Sequence, residues 1–369
     1  MTTFPMLSTV RRSLNWDGKY SLVIAYILVL IIFYGIAYPN VMILSTGGDN
    51  QQYVAIAKTL AAGLSASTSD LIMPDKYYLG YPLLLTPFLV KNNVDPFALL
   101  VVVNVIIGFL NCLLIEKIFG RKVAFFSIAG NLAMAQRTFL GGAEPLFMFF
   151  GLLSIYFSNR RAYLAIAFAA LSFWVRSFGV FFIFGILCDQ ICRKIGIKKF
   201  VLSLLICVFI VGMYAGISRW FYSSFSHIAG GGYKYAWDDG TPYGIPFAHL
   251  IHYLLIETRV TSFFKMVVYL GLSFIPFYCI TQRVLKEKTL SALRVYDWMY
   301  VPFLFFMYQL NSLWGYFEFL RYTSPVFPVA VFYARRFLPN NLLASYFFLI
   351  VFSVAAVLSI KGTIVSSGY

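Results

Sequence analysis

Residues 21–37 read SLVIAYILVLIIFYGIA, a run without any charged side chain. An α-helix rises 1.5 Å per residue, so a run of roughly this length crosses the hydrocarbon core of a membrane, which is about 30 Å thick. Further apolar runs follow near 96–115, 123–136, 145–158, 162–175, 177–188, 200–218, 263–280, 298–314, 322–334 and 341–360. The sequence therefore predicts an all-α polytopic membrane protein with about eleven transmembrane helices.

The composition of the 369-residue chain excludes an ordinary water-soluble enzyme and a disordered protein. Hydrophobic residues make up 60% of the chain and charged residues 12%, whereas soluble domains contain about 25% charged residues. The net charge is +15, but most basic residues lie at the ends of apolar runs instead of forming one patch. We therefore expect a single transmembrane domain over residues 1–369, without a separate soluble domain and without a nucleic-acid partner.

The charge distribution also predicts the orientation of the chain. Arg11, Arg12 and Lys19 precede the first run, and a cytoplasmic N-terminus places most basic residues inside and most acidic residues outside. Two long loops, at about 38–80 and 219–262, then lie outside. Because no Asn-x-Ser/Thr site occurs, we favour a bacterial inner membrane with a periplasmic site over an endoplasmic reticulum membrane with a lumenal site.

Three of the apolar runs are too short to cross a membrane. Each contains 13 or 14 uncharged residues, which form a helix of only about 21 Å. The charged residues at their outer ends should lie below the outer surface, and these are Arg137, Arg176 and Arg321, with Glu144 and Glu318 beside them. Such charges normally face a wet cavity, and surplus arginine suits a lipid phosphate. The structural alternative is two ion pairs, Arg137 with Glu144 and Glu318 with Arg321.

The first outside loop begins with a short amphipathic helix at Asp49. One face carries Tyr53, Val54, Ala57, Leu60 and Ala61, and the other carries Gln51, Lys58 and Thr59. Gly63 is the expected C-terminal cap, and the helix should lie in the membrane interface because it is too short and polar to span. Asp49 followed by Gln52 also matches a capping box, so Asp49 has a purely structural alternative.

The loop ends in an aromatic stretch, KYYLGYPLLL at residues 76–85. Aromatic residues at this level are typical of a membrane-interface belt. In the functional alternative, the rings of Tyr78 and Tyr81 form a wall for sugar and lipid while Lys76 contacts phosphate.

The order of these motifs resembles a known superfamily. The motifs are DNQQY at 49–53, GYPLL at 80–84, GAEPLF at 142–147, WVRSFG at 174–179 and LRY at 320–322. Together they resemble the GT-C integral-membrane glycosyltransferases, including protein O-mannosyltransferases, aminoarabinose transferases and GPI mannosyltransferases. The similarity extends over about residues 20–330 and is strongest from 45 to 180.

This resemblance implies the inverting transfer of a sugar from a polyprenyl-phosphate donor to a glycan, lipid or protein acceptor on the outer face. Asp49 matches the family's first-loop acid, the general base. The residues that would bind the donor phosphate are, in order of preference, Arg176, Arg321, Arg137 and Lys76. The residues that would contact substrate are Gln52, Tyr53, Tyr78, Tyr81, Glu144 and Glu318.

The chain departs from the metal-dependent members of the superfamily in this loop. Those members carry Asp-x-Asp, whereas this chain has Asp49-Asn50-Gln51. Because Asn and Gln are poor substitutes for a second carboxylate on a divalent ion, we expect no metal and no other cofactor. Asp238 and Asp239 in the second loop stand beside glycine, which is typical of a turn.

Two other classes of protein were compared with this interpretation. A transporter or flippase for a lipid-linked sugar or another anionic lipid also needs intramembrane charge, but such proteins usually contain internal repeats, which this sequence lacks. A structural or assembly protein should have small outside loops, whereas this sequence predicts two long ones.

A hydrolase is also disfavoured. His227, His249 and His252 all fall in the second long loop, and no Gly-x-Ser-x-Gly is present.

Overall fold

The computed structural model describes residues 20–37, 48–65, 77–90, 94–223, 260–309 and 323–366, and in these ranges it is helical without strands. The helices are α1 (Ser21–Ala37), α2 (Gly48–Ala61), α3 (Gly80–Leu89), α4 (Pro96–Phe119), α5 (Arg121–Gly130), α6 (Leu132–Leu140), α7 (Glu144–Ser158), α8 (Ala162–Val175), α9 (Gly179–Cys192), α10 (Ile197–Tyr222), α11 (Val260–Glu287), α12 (Val295–Gln309), α13 (Phe327–Ala334) and α14 (Leu342–Ser366). Two short 3₁₀ turns, Leu290–Ala292 and Ser324–Val326, precede α12 and α13. The all-α prediction is confirmed.

The predicted runs coincide with helices, with one correction. The run 123–136 was expected to be one helix, but it is divided between α5 and α6 at Asn131. The Asn131 side chain accepts a hydrogen bond from the Met134 amide (3.2 Å) and donates one to the Ser324 carbonyl (2.8 Å). A side chain that caps a new helix in this way ends the preceding one.

The described helices differ in their ability to cross a membrane. By length and composition, α4 and α10 are long and apolar enough to span, and α6 with α7, which are bent by 120°, would form a third span. The other apolar helices identified in the described ranges have 10–17 residues, among them α1, α8 and α9. Large apolar side chains on α10 are exposed, including Leu205, Val208 and Phe209, as expected for a surface that faces lipid.

Helix α8 lies at the centre of the bundle and packs against α7, α9 and α10. Helix α4 packs against α7, α9 against α12, and α1 against α14. Glycine residues allow two close approaches between helices. Gly151 on α7 faces the ring of Phe182 on α9, and Gly185 on α9 faces Met299 on α12. Such contacts at glycine are typical of helices that pack within a membrane.

The amphipathic helix predicted at Asp49 is confirmed as α2. Tyr53, Val54 and Ala57 are buried, whereas Gln51 and Lys58 are exposed. Thr59 was predicted to lie on the polar face but is buried. Its side chain can be buried because its hydroxyl donates to the Ala55 carbonyl (3.0 Å) and so does not require a hydrogen bond to water. After α2, Gly63 has a φ of +70° and its amide donates to the Leu60 carbonyl, so the predicted C-terminal cap is also present.

The two ends of the helix bundle differ in charge. One end, which we call the site end, carries Asp49, Glu144 and Arg176, because α7 begins there and α8 ends there. The opposite end, the basic end, carries Lys117, Arg121, Lys122, Arg160, Arg161, Arg193, Lys194, Lys198, Lys199, Arg283, Lys286, Lys288, Arg294, Arg335 and Arg336. The described acidic residues of the basic end are Glu116, Asp189, Glu287 and Asp297. This polarity is the one that the positive-inside rule requires of a cytoplasmic end.

Candidate active site

Asp49 lies in the first turn of α2, where its carboxylate faces an aromatic cluster. The helix begins at Gly48, which has a φ of +56°, and the half-buried Asp49 Oδ1 accepts a hydrogen bond from the Tyr77 hydroxyl at 3.2 Å. The ring of Tyr77 packs edge to face against Tyr53 (5.6 Å between centroids), and Tyr53 packs in the same way against Tyr81 (5.4 Å). Tyr77 therefore contacts this carboxylate, and the buried rings of Tyr53 and Tyr81 pack behind it.

Asn50, the next residue, attaches α2 to the bend between α6 and α7. Its Nδ2 donates to the Leu140 carbonyl at 2.8 Å, and its side chain is buried. The chain then turns at Gly141 and Gly142, whose φ values are +97° and +155°. Gly141 also lies against Leu100 and the Asn50 amide, so a side chain at this position would collide with both.

The bend places Glu144 at the start of α7, where it forms a buried ion pair. Glu144 Oε1 lies 2.6 Å from Arg176 Nη2, and the two side chains are 2% and 17% exposed. This differs from the alternative pairing of Glu144 with Arg137. The reason is that α8 ends at Val175, and the extended backbone of Arg176 directs its side chain to the start of α7.

Arg137 lies close to this ion pair on α6. A Cβ atom at Gly142 would be 2.6 Å from Glu144 Oε2 and 2.9 Å from Arg137 Cδ, so both side chains flank the same glycine. Arg137 is half-buried. The structure therefore brings two of the four predicted phosphate-binding cations, Arg137 and Arg176, to one place beside Glu144.

A polar network connects the aromatic cluster to the bend. The Tyr81 hydroxyl donates to Asn104 Oδ1 (2.9 Å), and Asn104 Nδ2 donates to the carbonyls of Gly142 (2.9 Å) and Arg137 (3.2 Å). Both Tyr81 and Asn104 are fully buried. This network holds α3 and α4 against the segment that carries Arg137 and Glu144.

The start of α3 is also fixed directly against the end of α8. A Cβ atom on Gly80 would be 2.6 Å from the backbone carbonyl of Trp174 and 2.9 Å from the Val175 nitrogen, so the two backbones are in contact. The contact lies two residues before Arg176. Asp49 is connected to this contact by its hydrogen bond with Tyr77, which lies three residues before Gly80 in the chain.

Other predicted site residues lie elsewhere. The ring of Tyr78 packs against Tyr214 (5.8 Å, stacked) and Phe173 (5.9 Å), between α8 and α10, and is separate from the Tyr53–Tyr81 contact. Gln52 is half-buried on α2. The predictions for Lys76, Glu318 and Arg321, and those for Asp238, Asp239 and the three histidines, lie outside the described residues.

Three residues of this site were missed in the sequence: Asn50, Tyr77 and Asn104. Asn104 carries a usable signal, because a polar side chain in the middle of an apolar run needs a partner on another helix. Tyr77 could have been identified only from its distance to Asp49. Within the described ranges, no three His, Cys, Asp or Glu side chains converge as metal ligands would.

The described chain is an all-α bundle in which the short amphipathic helix α2 follows the apolar helix α1 and charged residues gather at one end. Among solved structures, the chain is similar to the crystal structure of ArnT from Cupriavidus metallidurans bound to undecaprenyl phosphate, with a TM-score of 0.50 and 11% sequence identity. The match covers 86% of this chain and 60% of ArnT, so the chain spans somewhat more than half the length of that protein. No family model and no curated protein sequence matches.

At 11% identity the similarity to ArnT establishes the fold. Together with the apolar helices, it supports the assignment of the chain as a membrane protein. The donor, the acceptor and the roles of individual residues are a separate matter.

Proposed function

We propose that the protein transfers a monosaccharide from a polyprenyl-phosphate donor to a lipid, glycan or protein acceptor on the non-cytoplasmic face, with inversion and without a metal ion. The observation that carries the proposal is the position of Asp49. This half-buried carboxylate lies at the same end of the bundle as the two arginines Arg137 and Arg176, and the elements that hold all three are in contact. A base and cations at one end are what this reaction needs.

In the proposed reaction Asp49 acts as the general base. A carboxylate oxygen of Asp49 accepts the proton of an acceptor hydroxyl while the hydroxyl oxygen attacks the anomeric carbon. The bond between the anomeric carbon and the donor phosphate oxygen breaks from the opposite side, so the configuration is inverted. The Tyr77 hydroxyl, 3.2 Å from Oδ1, orients the carboxylate.

The departing polyprenyl phosphate gains negative charge as this bond breaks. In this proposal Arg176 and Arg137 stabilise that charge, which the nearness of both side chains to Glu144 and the Arg176–Glu144 ion pair support. Arg321 and Lys76 remain candidates for the same task from the sequence. Because Tyr53 and Tyr81 are buried, they would support the ring of Tyr77 from behind, and the half-buried Tyr77 would contact the sugar.

The decisive experiment compares Asp49→Asn with Asp95→Asn in membranes supplied with a panel of radiolabelled polyprenyl-phosphate sugars. We expect Asp49→Asn to lower transfer about 100-fold or more, since a general base contributes that much, with expression unchanged. Asp95→Asn makes the same chemical change at the site end, where Asp95 caps α4, and Asn caps a helix equally well.

Full activity of Asp49→Asn would remove Asp49 as the base. Movement of the labelled donor across the membrane without any glycosylated product would instead favour a transporter.

A further inference from the structure

A polar cavity lies at the basic end of the bundle, between α11, the start of α12 and the end of α13. Its volume is about 360 Å³, in the range of small-molecule sites. Four arginines line it, Arg283, Arg294, Arg335 and Arg336. Because α8, α9 and α12 run the length of the bundle between the two ends, this cavity is separate from the site of Asp49.

One of the four arginines is neutralised and fixed. Arg283 Nη1 donates to Asp297 Oδ2 (2.8 Å), and Arg283 Nη2 donates to the Tyr333 hydroxyl (2.8 Å), which itself donates to Asp297 Oδ1. Asp297 is completely buried and also accepts from the Arg294 amide (2.9 Å). The hydrogen bonds of Asp297 therefore hold α11, α12 and α13 together at the wall of the cavity.

The other three arginines leave a positive surplus. Within the described part of the chain, the guanidinium groups of Arg294, Arg335 and Arg336 form no ion pair with a carboxylate within 4.0 Å. The guanidinium carbon of Arg335 lies 4.0 Å from the centre of the Phe332 ring, and that of Arg294 lies 5.8 Å from the same ring. Stacking of this kind uses the flat face of a guanidinium group and leaves N–H edges for an anion.

The surroundings of the cavity indicate the kind of anion. Tyr278, which lines it, is 63% exposed, and Phe337, which follows Arg336, is 71% exposed. Exposed aromatic residues beside arginines are typical of the level of lipid headgroups, and basic pockets between helices at a cytoplasmic end bind anionic headgroups. A phosphoryl group matches the fork of N–H donors that several arginines provide.

We propose that this cavity binds the phosphoryl headgroup of an anionic membrane lipid at the end of the protein opposite the proposed sugar-transfer site. The proposal does not depend on sugar transfer, because it rests on a different cavity and a different set of charges. The same phosphoryl chemistry could reach the cavity on a small soluble molecule, so the experiment separates the two sources.

The test is binding to purified full-length protein in detergent, measured by native mass spectrometry with phosphatidylglycerol, phosphatidylcholine and glycerol 1-phosphate. The variant is Arg335→Gln/Arg336→Gln. The chain offers a matched control, Arg160→Gln/Arg161→Gln, because this is also an exposed arginine pair at the basic end, with Arg160 stacked 4.1 Å above the Tyr156 ring. Arg283 is left intact so that the buried Asp297 keeps its partner.

We expect wild type to prefer phosphatidylglycerol to phosphatidylcholine, Arg335→Gln/Arg336→Gln to lose about tenfold in affinity for phosphatidylglycerol, and the control pair to change it less than about twofold. Equal losses in the two pairs, or equal binding of the two lipids by wild type, would overturn the proposal by showing diffuse surface charge. If glycerol 1-phosphate bound as tightly as phosphatidylglycerol, the proposal that the ligand is a membrane lipid would be wrong. The lipid comparison in wild type stands even if a variant fails to fold.

Discussion

At the level of single residues, the ion pair between Arg176 and Glu144 limits how the donor site can be tested. Glu144 is only 2% exposed, so removing Arg176 leaves a buried charge without this partner, a change that typically costs about 3–5 kcal/mol. Loss of activity in Arg176→Ala alone would therefore not separate a binding role from a structural one.

We predict that Arg176→Ala/Glu144→Ala, which removes both charges, folds but uses the polyprenyl-phosphate donor about 100-fold less well, because one stabilising cation is lost. Arg321→Ala is predicted to weaken donor use as well. The measurement is transfer rate against donor concentration, with folding followed by thermal unfolding in detergent. Arg219→Ala is the control, since Arg219 is an exposed cation at the site end. Normal donor use by the Arg176 and Arg321 variants would contradict the prediction.

The prediction of metal independence concerns Asn50, the residue beside Asp49. Its amide is used in a hydrogen bond to the Leu140 carbonyl, so the residue beside Asp49 is turned towards the α6–α7 bend. We predict that EDTA leaves transfer unchanged within about twofold, because Asn and Gln are weak ligands for Mg²⁺ or Mn²⁺. Activity that falls with EDTA and returns with either ion would refute this.

The sequence alone anticipated which residues share an end of the bundle but not which of them touch. Hydropathy places Glu144 and Arg176 below the outer surface, because a short apolar run sets the position of its charged end, and it places the helix of Asp49 in the interface at the same end. The partner of Glu144 depends on the rotation of α8 about its axis and on the bend before α7, which no local pattern encodes. Thr59 was misplaced for a related reason, since its hydroxyl is satisfied within its own helix.

At the level of elements, the contact between α3 and α8 depends on Gly80. We predict that Gly80→Ala destabilises the protein by about 1–3 kcal/mol, because the added methyl group meets the backbone of Trp174, which cannot rotate away as a side chain could. The measurement is the thermal unfolding midpoint in detergent.

Gly212→Ala on α10 is the matched control for Gly80→Ala, since a Cβ there meets nothing within 4 Å. A helix tolerates alanine better than glycine, so the control should be neutral or stabilising. Equal effects of the two substitutions would show that the α3–α8 contact does not limit stability.

Helix positions were largely predictable because long apolar runs and their charged ends fix where a helix can lie. The division of the run 123–136 was not predictable, because the carbonyl that holds Asn131 belongs to Ser324, 193 residues further along the chain. The short helix α3 was likewise expected only as a return to an apolar run. Its position depends on Gly80 and on the Tyr81–Asn104 hydrogen bond, both of which are long-range contacts.

At the level of the whole molecule, the separation of charge between the two ends predicts the orientation. We predict that a cysteine at Lys58 reacts with a membrane-impermeant maleimide in intact cells, whereas a cysteine at Lys198 reacts only after the membrane is opened. Both lysines are exposed, on α2 at the site end and on α10 at the basic end.

The background for this labelling is a variant in which the five native cysteines, all free thiols, are replaced by serine. The control is labelling after permeabilisation, which should modify both positions equally. Reaction of the cysteine at position 198 in intact cells would reverse the proposed orientation and place Asp49 on the cytoplasmic face.

Tyr77 joins two parts of the chain that are far apart in sequence. Its carbonyl accepts a hydrogen bond from the Tyr222 hydroxyl at 2.8 Å, while its own hydroxyl reaches Asp49. Tyr222 is the last residue of α10, from which the second long loop departs. A single tyrosine therefore ties the carboxylate of Asp49 to the last residue of α10, so a displacement of that helix end alters the support of the carboxylate.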